Sequence, residues 1–331
     1  MRVWLERYAN RLWYETECPA WPWRALAGLH RVVLGGRWQR PAGRPPVPVL
    51  VVGNLAVGGS GKTPSVIALA RHLHRMGLRT GIISRGYGRS GSSQGDRRPL
   101  RVNPDSDPDQ CGDEPVFIAQ ATGLPVWVCR DRRAALESAV IEGAEVVVSD
   151  DGLQHRRLAR SFEIVLIDGQ RRFGNGRLLP AGPLRQPVAR LEQADAVLFR
   201  AAGDSNPDQE QCFDLVPEAL VRLDDGARLA PRALAGQAVS AVCGIAHPAQ
   251  FVRTLEALGQ QPTLFAFPDH HRFVPADLRA LGTPIVTTAK DAVKLRRLGR
   301  LPGSVYVLEV SATLPDSLLQ AVTDHVQQFV R

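Results

Sequence analysis

With 331 residues, 44% hydrophobic and 22% charged, the chain has material for one large core or two smaller ones, which excludes a disordered or fibrous polymer. Its five cysteines are odd in number, widely spaced and without a C-x-x-C pair, which excludes a disulfide framework and a cysteine zinc site and points to a reduced, cytosolic compartment. The net charge of +8 asks for an anionic partner, while no run approaches the ~20 apolar residues that span a bilayer and no secretory leader is visible.

Residues 1–44 stand apart. They hold five of the six tryptophans (Trp4, Trp13, Trp21, Trp23, Trp38), Tyr8 and Tyr14, and eight arginines against three glutamates. Trp4, Leu5, Tyr8 and Leu12 recur at helical spacing, and after the Pro19 to Pro22 break Leu26, Leu29 and Val33 share a second face. Two short amphipathic helices are expected. Aromatic rings at headgroup depth with arginines on anionic phosphates would make them an in-plane membrane segment. Simple capping of the main domain is the competing reading. Nucleic acid is disfavoured, because no recognition motif accompanies the charge.

Residues 45–215 alternate apolar runs with amphipathic ones. Val47 to Leu55, Arg79 to Ser84, Pro125 to Cys129, Glu145 to Ser149, Phe162 to Asp168 and Ala196 to Arg200 read as strands. Pro64 to Met76, Asp113 to Thr122 and Arg132 to Gly143 read as helices. The expected fold class is α/β, a P-loop NTPase-type, mostly parallel sheet sandwiched by helices. A polar, proline-broken linker is expected at 216–236, followed by a second, smaller α/β domain over 237–331.

The stretch Ala56-Val57-Gly58-Gly59-Ser60-Gly61-Lys62-Thr63 follows a buried strand and opens a helix, the setting of a phosphate-binding loop. Small residues let backbone N–H groups converge on a β-phosphate, Lys62 reaches the β/γ-phosphates and Thr63 a magnesium ion. Ala56 stands where the usual pattern has its first glycine. Asp150-Asp151, closing an apolar strand, fit the acidic partner of that magnesium. His155 lies four residues beyond Asp151, a spacing at which the carboxylate could orient the imidazole on a turn or short helix. Asp113-Glu114 open a helix before Pro115; either they are helix-start acids, or a carboxylate there deprotonates an acceptor hydroxyl. Arg85, Arg130, Arg132 and Arg133 close strands and suit phosphate charge, although solvated turns are the commoner fate of such runs. The loop from Asn175 to Arg185 is long, with leucines expected to be exposed, and polar stretches occur at Pro268 to Phe273 and Thr287 to Asp291. A lone His270-His271 pair does not make a zinc site. Lys62, Lys290 and Lys294, the three lysines of the chain, all fall in or beside these stretches.

Taken in order, Val52-Gly53-Asn54-Leu55, Gly58 to Pro64, Ser84-Arg85-Gly86-Tyr87, Gly112-Asp113-Glu114-Pro115, Asp150 to His155, Leu178 to Arg185 and Asp269-His270-His271 resemble the tetraacyldisaccharide 4'-kinase family of lipid A biosynthesis. The resemblance spans nearly the whole chain and departs from the family at Gln186 and Ala289, where acids are common. It implies a peripheral enzyme on the cytoplasmic face of the bacterial inner membrane, with anionic lipids around it and no obligate protein partner. The implied reaction moves the ATP γ-phosphate to the 4'-hydroxyl of a lipid A disaccharide 1-phosphate. It implies Mg2+ held by Thr63 and Asp150, Asp113 as base assisted by His270, Asp151 paired with His155, and Glu114, Arg133 and Arg185 contacting nucleotide or substrate. Two rival functions remain on residue evidence alone. A kinase of a soluble sugar or nucleotide would leave the tryptophans merely buried, and a P-loop ATPase switch for metal or protein delivery would release free phosphate.

Overall fold

The computed structural model describes residues 2–34, 43–86, 98–201, 211–269, 271–279, 281–299, 301 and 303–330, with backbone alone for 2–7, 34 and 330. Two N-terminal helices, α1 (Arg2–Tyr14) and α2 (Trp21–Leu34), precede the sheet. The first lobe then runs β1 (Val49–Gly53), α3 (Lys62–Arg75), β2 (Thr80–Ser84), β3 (Leu100–Val102), α4 (Pro108–Cys111), α5 (Asp113–Thr122), β4 (Val126–Val128), α6 (Arg132–Ile141), β5 (Val146–Asp150), β6 (Phe162–Asp168) and β7 (Ala196–Arg200). After it come β8 (Cys212–Arg222), β9 (Arg228–Leu229), β10 (Ala238–Cys243), α7 (Pro248–Ala257), β11 (Gln261–Ala266), α8 (Pro275–Arg279), β12 (Ile285–Thr288), α9 (Ala289–Leu295), β13 (Val305–Thr313) and α10 (Asp316–Val330).

Among the described residues the strands join in the order β11-β10-β12-β13-β8-β7-β6-β1-β5-β2-β4-β3, with β9 paired to β8. The strands from β7 to β4 in this order are parallel. Every residue of β1, β2 and β5 is buried, which is why they read as unbroken apolar runs. Alternation divides β1 between two cores. Leu50 and Val52 pack with Val66 and Leu69 of α3, whereas Val49 and Val51 pack with Ala135 and Leu136 of α6. Each such leucine or valine contributes about 1.5–3 kcal/mol by leaving water.

The structure departs from the expected domain boundaries in two places. The segment expected to begin a linker at 216 is the middle of β8, an eleven-residue strand that pairs with β7 at Cys212 and Phe213 and with β13 along most of its length. Pro217 hid it from the sequence pattern. Proline cannot donate to a ladder, and the register shifts opposite it, between Glu309 and Val310. Secondly, α10 does not belong to the second lobe's core. Leu318, Val322 and Val326 pack with Val66, Leu69 and Leu73 of α3 in the first lobe, and His72 meets Thr323 at 3.1 Å.

Candidate active site

Parallel strands present their carboxyl ends on one edge, and ligands of such sheets sit there. The loop after β1, Arg85 after β2, Arg130 and Arg132 after β4, and Asp150-Asp151 at the end of β5 all line one cleft of about 1000 Å³. Its opposite wall comes from the second lobe, through His247, Asp269, Thr288 and Lys290.

The loop 56–63 wraps as a phosphate cradle requires. Gly58 sits at φ +127° and Gly61 at φ +80°, conformations that favour glycine, and Gly61 leads into α3 with no side-chain cap on its N–H groups. Ala56 is absent from the residues with positive φ, so its methyl group costs nothing there. Ala56 instead bridges Leu184, and Val57 donates to the Pro183 carbonyl at 2.9 Å. The 175–185 loop therefore buttresses the cradle, and its Leu184 is fully buried rather than exposed as expected. Ser60 Oγ is buried without a hydrogen-bond partner among the described residues, a group left for a ligand.

Thr63 Oγ1 donates to Glu114 Oε1 at 2.6 Å, and Ser84 Oγ approaches Asp150 Oδ2 at 3.4 Å. Asp150 is 1% exposed, and its Oδ1 has no hydrogen-bond partner among the described residues. Burial, then Glu114 and Asp151, pushes its carboxyl up to about 8. A magnesium ion would reverse that penalty, since it takes hard oxygen ligands and keeps several phosphate or water oxygens. Among the described residues no three His, Cys, Asp or Glu side chains gather as a self-sufficient metal cluster. Thr63 and Asp150 fit an ion that a triphosphate completes, and Glu114, which accepts from Thr63 Oγ1, has an oxygen beside the same position.

Asp151 has φ +47° and sits 3.8 Å from Lys62 Nζ and 3.2 Å from Arg185 Nη1. Burial works against its charge, but Lys62 and Arg185 outweigh it and hold the carboxyl below its ordinary value. The expected Asp151–His155 pair does not form. His155 Nε2 instead accepts from the Arg132 N–H at 3.3 Å, and burial followed by the Arg132 charge depresses its pKa to about 4. The left-handed turn at Asp151 destroys the helical geometry that a four-residue spacing assumes. Arg160 fixes this turn from behind, donating to the carbonyls of Gly152, Leu153 and His155, while buried Glu163 pairs with both Arg160 and Arg190.

Arg133 also leaves the site. It is exposed and paired with Glu137 one turn along α6, while its neighbour Arg132 is buried and donates to the Asp150 carbonyl at 2.8 Å. Burial brings the Arg132 pKa down to about 10. Successive helical residues point about 100° apart, so a run of arginines can send only some members inward.

Asp113 is the first residue of α5, after Gly112, and so is not the cap itself. It is 5% exposed; its Oδ1 accepts the Glu114 N–H at 3.0 Å and its Oδ2 lies 3.3 Å from Lys294 Nζ of the second lobe. His270 lies outside the described residues, as do Tyr87 and Trp38. Its neighbour Asp269 pairs with Lys290 at 3.0 Å. Although burial opposes the charge of Lys290, Glu114, Asp113 and Asp269 hold it well above the usual lysine range. His247 carries no local sequence signal and is brought to the cleft by the fold. Its ring covers the phosphate loop so closely that a Cβ on Gly58 would lie 2.5 Å from Nε2.

The N-terminal helices are docked beside this cleft. Trp13 Nε1 donates to the Pro180 carbonyl at 2.9 Å, His30 Nδ1 meets the Leu179 carbonyl at 2.7 Å, and the Arg171 guanidinium stacks 4.7 Å from the Tyr14 ring. The opposite face of α2 is bare, with Trp21 76% and Val32 81% exposed alongside Leu26, Leu29 and Val33.

A family model for tetraacyldisaccharide-1-P 4'-kinase matches residues 20–327. The tetraacyldisaccharide 4'-kinase of Pseudomonas aeruginosa (strain LESB58) is 45% identical over 293 residues, spanning 86% of this chain and 87% of its own. That of Stenotrophomonas maltophilia (strain R551-3) is 43% identical over 336 residues and 96% of each chain. In three dimensions the crystal structure of LpxK from Aquifex aeolicus in complex with ATP superposes with a TM-score of 0.69 at 27% identity, covering 98% of this chain and 99% of that one. With a match of this length and identity, the chain belongs to the tetraacyldisaccharide 4'-kinase family.

Proposed function

We propose that the chain transfers the γ-phosphate of ATP to the 4'-hydroxyl of a tetraacylated glucosamine disaccharide 1-phosphate, working on the lipid from the cytoplasmic face of the inner membrane. The observation that carries this reading is the Thr63–Glu114–Asp150 group beside a phosphate loop, with Asp113 next to it in sequence and Lys294 of the second lobe on its carboxylate.

In this reading the 58–61 backbone and Lys62 hold the β- and γ-phosphates, and Asp151 keeps Lys62 and Arg185 in place from the side. Thr63, Asp150 and Glu114 would hold magnesium, which would neutralise charge on the transferring phosphoryl oxygens. Asp113 takes the proton of the attacking hydroxyl. The family resemblance pairs Asp113 with His270; with Lys294 of the second lobe on the Asp113 carboxylate, closure of the two lobes would gate turnover. Arg132 and Arg185 supply fixed positive charge near the phosphates.

The bare face of α2 supports the membrane half of the proposal. Exposed Trp21, Leu26, Leu29, Val32 and Val33, with Arg24 and Arg31 also exposed, suit the headgroup boundary of an anionic bilayer. Among the described residues no helix is long and apolar enough to cross a membrane, so attachment of this kind is in-plane. Pure protein incubated with γ-labelled ATP, Mg2+ and the tetraacyl disaccharide 1-phosphate should label the lipid. Label appearing only as free phosphate would favour an ATPase switch, and label on soluble sugars instead of the lipid would favour a soluble-acceptor kinase.

A further inference from the structure

Only three of the 41 basic residues are lysines, and the structure puts all three at the cleft or directly behind its wall. Lys62 meets Asp151, Lys290 meets Asp269, and Lys294 lies between Asp113 and Asp291. Elsewhere the chain uses arginine. A lysine head is a compact point charge, whereas a guanidinium is a broad planar fork, so a narrow gap between two carboxylates selects lysine.

Lys294 occupies such a gap. Its side chain is 13% exposed, its Nζ is 3.0 Å from Asp291 Oδ1 and 3.3 Å from Asp113 Oδ2, and the same atom lies 5.5 Å from the centre of the Phe273 ring. Asp291 is immobilised in turn. It is fully buried, and its Oδ2 accepts from Thr288 Oγ1 at 2.7 Å and from the Gly244 N–H at 2.9 Å. A rigid chain of contacts thus runs from the ends of β10 and β12, through Asp291 and Lys294, to a carboxylate in the other lobe.

We propose that Lys294 is a positioning residue for phosphoryl transfer: anchored by Asp291 in the second lobe, it sets the orientation of Asp113 in the first, so that the base is aligned only while the lobes are apposed. This rests on Asp113 being the base. Without Lys294, Asp113 loses the cation that ties its Oδ2 to Asp291 in the second lobe, and the carboxylate turns away from that orientation. A contact that merely held the lobes together would affect folding and nucleotide binding; a positioning contact acts through Asp113 alone.

A double-mutant cycle on the full-length enzyme separates the two. Lys294→Met should lower kcat by about 100-fold while leaving KM for ATP within about twofold. In an Asp113→Asn background the same change should cost less than about twofold more, because the group it serves is already gone. Independent, multiplying losses would overturn the proposal, as would an unchanged kcat in Lys294→Met. If Asp113→Asn itself retains kcat, the base reading fails; if Asp113→Asn is impaired and Lys294→Met is not, only the Lys294 inference fails. Should Lys294→Met not fold, Lys294→Gln is carried through the same cycle and read by the same criteria.

Discussion

The phosphate-loop wall of the cleft is made largely of main chain and strand ends, whereas the facing wall is made of long side chains from α9, the start of α7 and the loop after β11. The first wall demands small residues and acids at fixed spacing along a continuous stretch, because backbone N–H groups can converge only if the chain turns at Gly58 and Gly61. The second demands only that His247, Lys290 and Lys294 arrive from wherever the fold delivers them. One wall is a local motif, and the other is a product of tertiary placement.

The largest effect that probes this contrast lies on the first wall. Glu114→Gln keeps the shape and removes the charge beside Thr63 and Asp150, and kcat at saturating ATP should fall by about 100-fold, the scale of losing one preorganised electrostatic group. A loss below threefold, measured with magnesium titrated in parallel, would remove Glu114 from the ion's ligands.

The same contrast explains what was legible in the sequence. Lys62, Thr63 and Asp150 could be placed from sequence because a strand, a turn and a helix leave them no other arrangement. The inward arginine could not be: Arg132 and Arg133 differ only by a helical rotation that neighbouring packing decides. The Asp151–His155 pairing failed because the spacing argument assumed a helix, and Asp151 takes a left-handed turn. Pro217 masked β8, and nothing local announces that α10 returns to the first lobe's core. Lys294 stands out in the sequence as a rare residue, but its partner Asp113 lies far away in sequence and only the fold brings them together.

Where the walls touch, Gly58→Ala should be next in size. Its φ of +127° disfavours any side chain, and the new Cβ would press on His247 Nε2. With strain of about 1–3 kcal/mol, ATP affinity should weaken by about tenfold in a calorimetric titration. Adding His247→Ala relieves the contact but not the backbone, so recovery should be partial. Full recovery would locate the whole cost in the ring, and none would locate it in φ.

A surface that neither wall uses serves as the contrast. Leu29→Glu with Val32→Glu on the bare face of α2 should weaken binding to anionic vesicles by about tenfold per side chain, given about 1.5 kcal/mol for burying each, and leave ATP affinity unchanged. Unchanged vesicle binding would place membrane attachment elsewhere.

The smallest effect is on pH dependence. His155 and His247 have pKa values depressed from 6.5 to about 4, in both cases first by burial. Between those values the unfolded chain binds protons that the native one refuses, so stability rises with pH in that window. Their contribution is full above about 6.5 and is lost progressively as the pH falls towards 4. His247→Asn should flatten the fall of Tm over that range relative to the parent. An unchanged slope would mean that the ring takes up its proton while the lobes stay folded.

Phosphoryl transfer in the cleft turns on Asp113 as its base. Asp113→Ala, assayed for lipid phosphorylation and separately titrated with ATP, tests it most directly. Turnover should fall by more than about 100-fold with ATP affinity within about twofold of the parent. A small loss of turnover, or an equal loss of ATP binding, would contradict it and leave Asp113 as a helix-start acid.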